Sequence, residues 1–209
     1  MAAKKDARRT TAPSEGAELR ERMLSALREL LDERRFEAIS VADVITRAGV
    51  SRASFYFYFP GKQAALAELV RRAVGQGREA ATPWTDSSAE PADALRAGVA
   101  AGAELWHANA GVLKAVVESW HSDEQLRELW LAQMDVFTDA AVTRIETDPV
   151  ASAVLAGQDV RAVAASLSWL GERLYYLAAA GVPPFDDREV LVRTLTHAWV
   201  STLYGEAGR

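Results

Sequence analysis

Apolar residues recur at helical spacing through almost the whole of this chain. Over residues 17–35, Leu19, Met23, Ala26, Leu27, Leu30 and Leu31 fall three and four apart, which gives a helix one apolar face. Phe36 and Ile39 then close the following loop onto that core. Ser40, with Asp43 three residues later, resembles a capping box with Asp in place of Glu, and Val41, Val44, Ile45 and Ala48 mark a short amphipathic helix. Gly49 ends it, because glycine takes the positive φ of a C-cap without strain. Ser51 caps the next helix, residues 52–59, and Pro60 stops it. A fourth helix runs over 61–77 with Leu66, Leu69, Val70 and Val74 as its buried stripe.

Residues 82–91, TPWTDSSAEP, are rich in turn formers and mark a domain boundary. Beyond them the spacing predicts helices over 92–108, 110–121, 124–146, 160–180 and 189–204, with breaks at Pro149, Gly157 and the Gly-Val-Pro-Pro run at 181–184. No alternating run bounded by hairpin turns occurs, so no strand is predicted. The expected fold is all-α: an N-terminal three-helix unit with a helix-turn-helix, then a C-terminal helical bundle, about nine helices altogether. Its expected divisions are a flexible basic tail (1–15), the helix-turn-helix unit (16–83) and the bundle (84–209).

The segment 40–66, SVADVITRAGVSRASFYFYFPGKQAAL, carries the chemistry. Two short helices joined by a glycine turn are the basis of helix-turn-helix DNA binding. The second helix must enter the major groove, so its outer side needs short or flat side chains that reach base edges without a clash. Arg52, Ala53, Ser54 and Phe57 lie on or near that side. Around them Ser40, Ser51, Tyr56, Tyr58 and Lys62 suit hydrogen bonds to phosphate oxygens, which fix register and supply most of the affinity. The helix beginning at Gly61 adds free amides. The other reading of FYFYF is plain core. Five consecutive aromatics cannot all point inward on one helix, so Phe55 and Phe59, four apart, are expected inside, with Tyr56, Phe57 and Tyr58 toward the groove or its walls.

Bulk properties narrow the class. At 209 residues, 49% hydrophobic and 25% charged, the chain can bury a sizeable core. No apolar run approaches the ~20 residues of a membrane span, and the first 15 residues lack a signal peptide's apolar centre, so a soluble, cytoplasmic protein is expected. With no cysteine, disulfides, thiol catalysis and cysteine-based zinc sites are excluded. The net charge of −5 is divided: 15 Lys and Arg against 11 Asp and Glu up to Pro83, then 9 against 18. Such asymmetry is read either as a polyanion-binding segment or as ordinary drift of surface charge, and the coincidence of the basic part with the turn motif favours the first.

The run GVSRASFYFYFPGKQAAL resembles the signature of TetR-type repressors, in which a Gly-Val-Ser turn precedes a Tyr-x-x-Phe helix and a fourth helix begun by lysine. The likeness spans about residues 17–75. Within that family the chain is most similar to the EthR branch, through its SRxxFYFYFP block and HAWVSTLYGE at 197–206. The resemblance implies DNA contacts at Ser40, Ser51, Arg52, Ser54, Tyr56, Tyr58 and Lys62, and a core role for Phe59. Phe57 either meets a thymine methyl or only shields the helix.

Trp106, Trp120, Trp130 and Trp169 fall in the middle of the helical remainder, with Phe137, Tyr175, Tyr176 and Trp199. Composition leaves these as core or as the lining of an apolar cavity. The EthR likeness implies a pocket along the bundle axis walled by Trp106, Phe137, Trp169, Tyr176 and Trp199. Ser168 and Gly171 stand where that branch offers amide side chains, so any polar ligand contact must differ. The likeness also implies a homodimer built on the helices at 160–180 and 189–204, and Ala162, Ala164, Ala165, Ala178, Ala179 and Ala180 suit close packing there.

Catalysis has little to stand on. His107, His121 and His197 are isolated, Asp123-Glu124 and Asp186-Asp187 sit at helix starts as caps, and Glu172-Arg173 reads as a buried or interfacial ion pair. No metal site and no cofactor are expected. The expectation is a homodimeric repressor that binds double-stranded DNA at a palindromic operator and leaves it when a small apolar or amphipathic effector enters the bundle. The alternative is a helical ligand-binding or interaction protein that keeps the fold without sequence-specific DNA binding.

Overall fold

The computed structural model describes residues 15–85 and 90–205, and every regular element among them is helical. Four helices form the N-terminal part: α1 (Glu15–Glu33), α2 (Val41–Ala48), α3 (Arg52–Tyr58) and α4 (Lys62–Thr85), with a 3-10 turn at Phe36–Ala38 after α1. Six follow: α5 (Pro91–Ala108), α6 (Ala110–Ser119), α7 (Glu124–Thr147), α8 (Pro149–Val154), α9 (Val160–Ala179) and α10 (Arg188–Tyr204).

Local chemistry sets the boundaries. The capping box of α2 forms in full: Ser40 Oγ accepts the Asp43 amide at 3.1 Å and the Asp43 carboxylate accepts the Ser40 amide at 2.8 Å. Gly49 closes α2 at φ 63°, ψ 42°, a conformation that costs other L-residues about 1–2 kcal/mol. Arg22 of α1 reaches over to donate to Ala48 O at 2.6 Å and Gly49 O at 2.9 Å, tying the turn to the first helix. Ser51 Oγ accepts the Ser54 amide at the start of α3. Phe59 ends α3 in the extended conformation that a following proline imposes.

Three boundaries differ from those expected. Helix α4 does not stop at Gly77 but continues through Thr85, so the expected boundary at 82–91 is helical in its first part. A glycine in a helix costs only about 1 kcal/mol, and α4 packs on α5 more extensively than any other pair of elements. Residues 86–89 and all but the last residue of the expected basic tail lie outside the described residues. Pro149 starts a helix rather than breaking one: it occupies the first turn of α8, where the Asp148 side chain accepts the Val150 and Ala151 amides. The caps expected at Asp123 and Asp187 are present on α7 and α10.

The largest core cluster does not respect the division into two parts. Met23, Leu24, Leu27 and Leu30 of α1, Phe55 of α3, and Leu66 and Val70 of α4 form one packed body with Trp106, Val116, Leu126, Trp130 and Met134 of the bundle. Burying one such Leu or Met stabilises by about 1.5–3 kcal/mol, so the junction is not a loose hinge. Helix α6 also approaches α1 closely. A Cβ on Gly111 would sit 2.9 Å from Leu31 O and 2.7 Å from Asp32 Oδ1, so only glycine permits this contact.

Candidate nucleic-acid interface and ligand cavity

Helix α3 divides its aromatics by phase. Phe55 (fully buried) and Phe59 pack on each other with ring centroids 5.8 Å apart. Tyr56 is exposed, and Phe57 is 81% exposed, a large apolar ring with no place in the core. Tyr58 is only half outward: it packs against the core, and its hydroxyl would lie 2.7 Å from a Cβ on Gly16 of α1. Ser51, Arg52 and Ala53 are exposed and Ser54 is half-buried, so the exposed face of α3 runs from its N-terminus through Phe57. The Arg52 guanidinium lies over the Tyr56 ring at 5.3 Å and enters no ion pair among the described residues.

Most other cations of this part are already engaged. Arg47 makes a two-pronged pair with Glu33 at 2.8 and 3.0 Å, Arg34 meets Asp43 at 3.2 Å, and Arg72 meets Glu21 at 2.7 Å. Among the described residues of α1, α2 and α4 the arginines therefore form no free basic patch. Two expected phosphate donors are also committed. Ser40 Oγ donates to Asp43 Oδ2 at 2.7 Å, and the hydrogen bonds from Ser40 hold the Asp43 carboxyl down to about 2.

Lys62 departs most from its expected role. Its ammonium donates to Ile39 O at 2.6 Å, Phe36 O at 2.9 Å and, more weakly, Glu37 O at 3.4 Å, and stands 4.5 Å from the Phe36 ring centre. All three donors are thus directed at the 3-10 turn, and burial lowers its pKa. In this structure Lys62 clamps the turn between α1 and α2 instead of offering a free cation to phosphate.

The bundle forms a partly open cavity of about 170 Å³ between α5, α7, α9 and α10. Trp106, Phe137 and Trp199, three of the five residues the EthR likeness implied as pocket walls, line it. Trp169 and Tyr176 do not: Trp169 packs on Trp120 with centroids 6.3 Å apart, and the Tyr176 hydroxyl donates to Glu118 Oε1 at 3.0 Å. Helical phase explains the correction. Leu167, Gly171 and Tyr175, four apart, face the cavity with Ser168 and Glu172, whereas Trp169 and Tyr176, seven apart, share the adjacent stripe of α9. Tyr175 takes the place assigned to Tyr176, stacked on Trp106 with its hydroxyl donating to Val99 O at 3.0 Å. Gly102 makes room for it, since a Cβ there would meet the Tyr175 hydroxyl at 2.6 Å. Trp130, which composition left as core or cavity lining, and Glu172, expected in an ion pair with Arg173, are also part of the wall.

Glu172 is only 5% exposed. Its nearest cation, Arg173, is 3.9 Å away with an exposed side chain, so the ion pair read from the sequence is long and one-sided. Burial pushes the carboxyl up, against a smaller opposing pull from Arg173 and the Trp130 indole N–H. Neither Glu172 Oε1 nor Trp130 Nε1 closes a hydrogen bond of good geometry.

A capped helix pair joined by a left-handed glycine, with the second helix's flat aromatic face outside the core, defines a helix-turn-helix protein carrying a helical bundle. Residues 23–69 match the bacterial regulatory proteins of the tetR family, and residues 95–205 match the C-terminal domain of transcriptional regulator EthR. The chain is 30% identical over 199 residues to the HTH-type transcriptional regulator EthR of Mycolicibacterium smegmatis, covering 95% of this chain and 91% of that one. It is 29% identical over 201 residues to EthR of Mycobacterium tuberculosis, covering 95% and 93%. A solved transcriptional regulator from Rhodococcus sp. Rha1 superposes with a TM-score of 0.73 at 21% identity, over 90% of this chain and 97% of that one. The chain belongs to the TetR family of bacterial transcriptional regulators and is related to EthR. It is a DNA-binding regulator of a family that dimerises and is not enzymatic. No described helix is long and apolar enough to cross a membrane.

Proposed function

We propose that this chain is a cytoplasmic, homodimeric repressor whose two α3 helices read the half-sites of a palindromic operator, and that a small, largely apolar or amphipathic effector in the bundle cavity releases it. Residues 16–83 form the reading unit and 84–209 the effector and dimer unit. Arg52, Ala53, Ser54 and Phe57 meet base edges, while Ser51, Tyr56 and Tyr58 fix register on phosphates. Ser40 contributes through its place at the rim of α2, and Lys62 acts indirectly by holding the turn beneath it. The observation that carries the reading is Phe57, an 81% exposed ring on a seven-residue capped helix that also carries Arg52, which enters no ion pair among the described residues. A monomer would lose solubility to that ring without gaining stability.

One such helix contacts too few bases, and two spaced by about one DNA turn (~34 Å) read a palindrome. The partner faces are α9 and α10, where Leu170, on α9, and Val182, in the loop between the two helices, remain exposed. Ala164 is taken up by the chain's own core and Ala178 and Ala179 pack against it, so the small residues available to a partner are Ala162, Ala165 and Ala180.

Coupling has a physical route. Trp106, Trp130 and Met134 line the cavity and belong to the same packed body as α1, α3 and α4. A ligand that needs a wider cavity displaces them, and with them α4 and the spacing of the two α3 helices. The effector lowers operator affinity by its differential affinity for the two spacings and by no more.

The test is binding of the full-length protein to duplexes from its own promoter region against random duplexes, at several salt concentrations. The reading expects one preferred duplex with a steep salt dependence, and cavity ligands that weaken binding to it. Equal affinity for all duplexes at moderate salt favours the ligand-binding or interaction protein instead.

A further inference from the structure

Glu172 is an expensive residue in its position. It is the one charged side chain among the described residues of the cavity wall, which is otherwise aliphatic, aromatic or glycine apart from Ser168. A carboxylate removed from water is costly unless a cation and hydrogen bonds replace its hydration. Among the described residues the one cation in reach is Arg173, 3.9 Å away on an exposed side chain, and Oε1 closes no hydrogen bond of good geometry. Around it stand the rings of Trp106, Trp130, Phe137, Tyr175 and Trp199, three of them indoles. Indole faces attract cations more strongly than other aromatic side chains. The Tyr175 hydroxyl is already bonded to Val99 O, so the polar groups the wall can turn to a guest are the Glu172 carboxylate, the Ser168 hydroxyl and the Trp130 indole N–H, and only the first carries charge.

The geometry points to an effector that carries a protonated amine: its ammonium group pairs with Glu172 and its apolar body rests against the aromatic wall. This rests on the reading of the cavity as the effector site and narrows the effector class. An anionic or wholly apolar guest leaves Glu172 unpaired in a drier cavity than before, so the site selects by sign as well as by shape. Size limits the guest too. A cavity near 150 Å³ accommodates benzene, so at about 170 Å³ the site holds one ring or short chain plus its amine before any widening.

Three probes of similar shape test this: 2-phenylethylammonium, propylbenzene and 3-phenylpropanoate. Each is titrated into the full-length protein by calorimetry, with tryptophan emission as a second readout because Trp106, Trp130 and Trp199 line the cavity. The ammonium probe is expected to bind at least about tenfold more tightly than propylbenzene, and the carboxylate most weakly. In Glu172→Gln the ammonium probe loses that advantage while propylbenzene affinity stays within roughly threefold. Propylbenzene matching or exceeding the ammonium probe on the unaltered protein overturns the proposal without reference to any variant. An ammonium preference that survives in Glu172→Gln overturns it as well. Binding of none of the three overturns both this and the cavity as a ligand site. An ammonium preference with no effect on operator affinity upholds the amine site and removes the release mechanism.

Discussion

Replacing Lys62 by Met separates two roles for its ammonium group. Met keeps most of the stem against Phe36 and deletes the charge. Two short bonds, 2.6 Å to Ile39 O and 2.9 Å to Phe36 O, disappear, with a weaker third to Glu37 O. A hydrogen bond from a charged donor contributes about 1.5–3 kcal/mol net, but the site is partly exposed and water can reach the released carbonyls, so the total loss is about 2 kcal/mol per protomer. For a chain of this length that lowers the melting temperature by about 4–8 °C, read by calorimetry at fixed protein concentration. The companion measurement is DNA affinity against salt. Removing a clamp leaves the slope of log K against log salt unchanged, whereas removing one phosphate neutralisation per protomer reduces it by roughly 1.8 for the dimer. An unchanged melting temperature with a reduced slope would refute the clamp and restore Lys62 as a phosphate donor.

Other substitutions probe independent features. Glu172 has its folded pKa raised by burial, so the folded state holds this proton more tightly than the unfolded chain, and stability falls as pH rises from the unfolded value through the folded one. Glu172→Gln is therefore expected to melt higher than the unaltered protein at pH 7–8, with the gain vanishing below about pH 4.5; a lower melting temperature at neutral pH contradicts a buried, underpaired carboxylate. Gly49→Ala forces an L-residue to φ 63° and should cost about 1–2 kcal/mol in urea unfolding. Phe57→Ala should leave stability within about 0.5 kcal/mol, because the ring touches solvent, and should weaken operator binding by about 1–2 kcal/mol per protomer as seen by fluorescence anisotropy. Loss of stability in that variant would mean that Phe57 packs in solution.

The parts legible in the sequence are those set by local chemistry. The capping box at Ser40 and Asp43, the left-handed Gly49, the Ser51 cap and the Phe55/Phe59 spacing each follow from a few neighbouring residues, and each is present. The all-helical bundle was legible from periodicity. What local pattern could not supply was which side chains a third element claims. Lys62 looks like a free cation beside a recognition helix until the carbonyls of the 3-10 turn, more than twenty residues earlier, are brought under it. Likewise the arginines of α1, α2 and α4 count as positive charge in the sequence and as closed ion pairs in the fold. On α9 it is Tyr175, one position before the Tyr176 that the EthR likeness implied, that faces the cavity. The phase of Leu167, Gly171 and Tyr175 gives the right answer once the cavity's direction is known. Glu172 was read with its sequence neighbour Arg173, yet the two leave the helix in different directions, one into the wall and one toward solvent.

The central claim is that α3 reads base sequence as one half of a symmetric pair. It is tested most directly by selecting bound duplexes from a random pool with the full-length protein at physiological salt, alongside Arg52→Ala at matched melting temperature. The account predicts an enriched motif with two-fold symmetry, and in Arg52→Ala a relaxed preference at one symmetric pair of positions while the rest of the motif persists. A motif unchanged at every position, with affinity uniformly lower, would contradict base reading by Arg52.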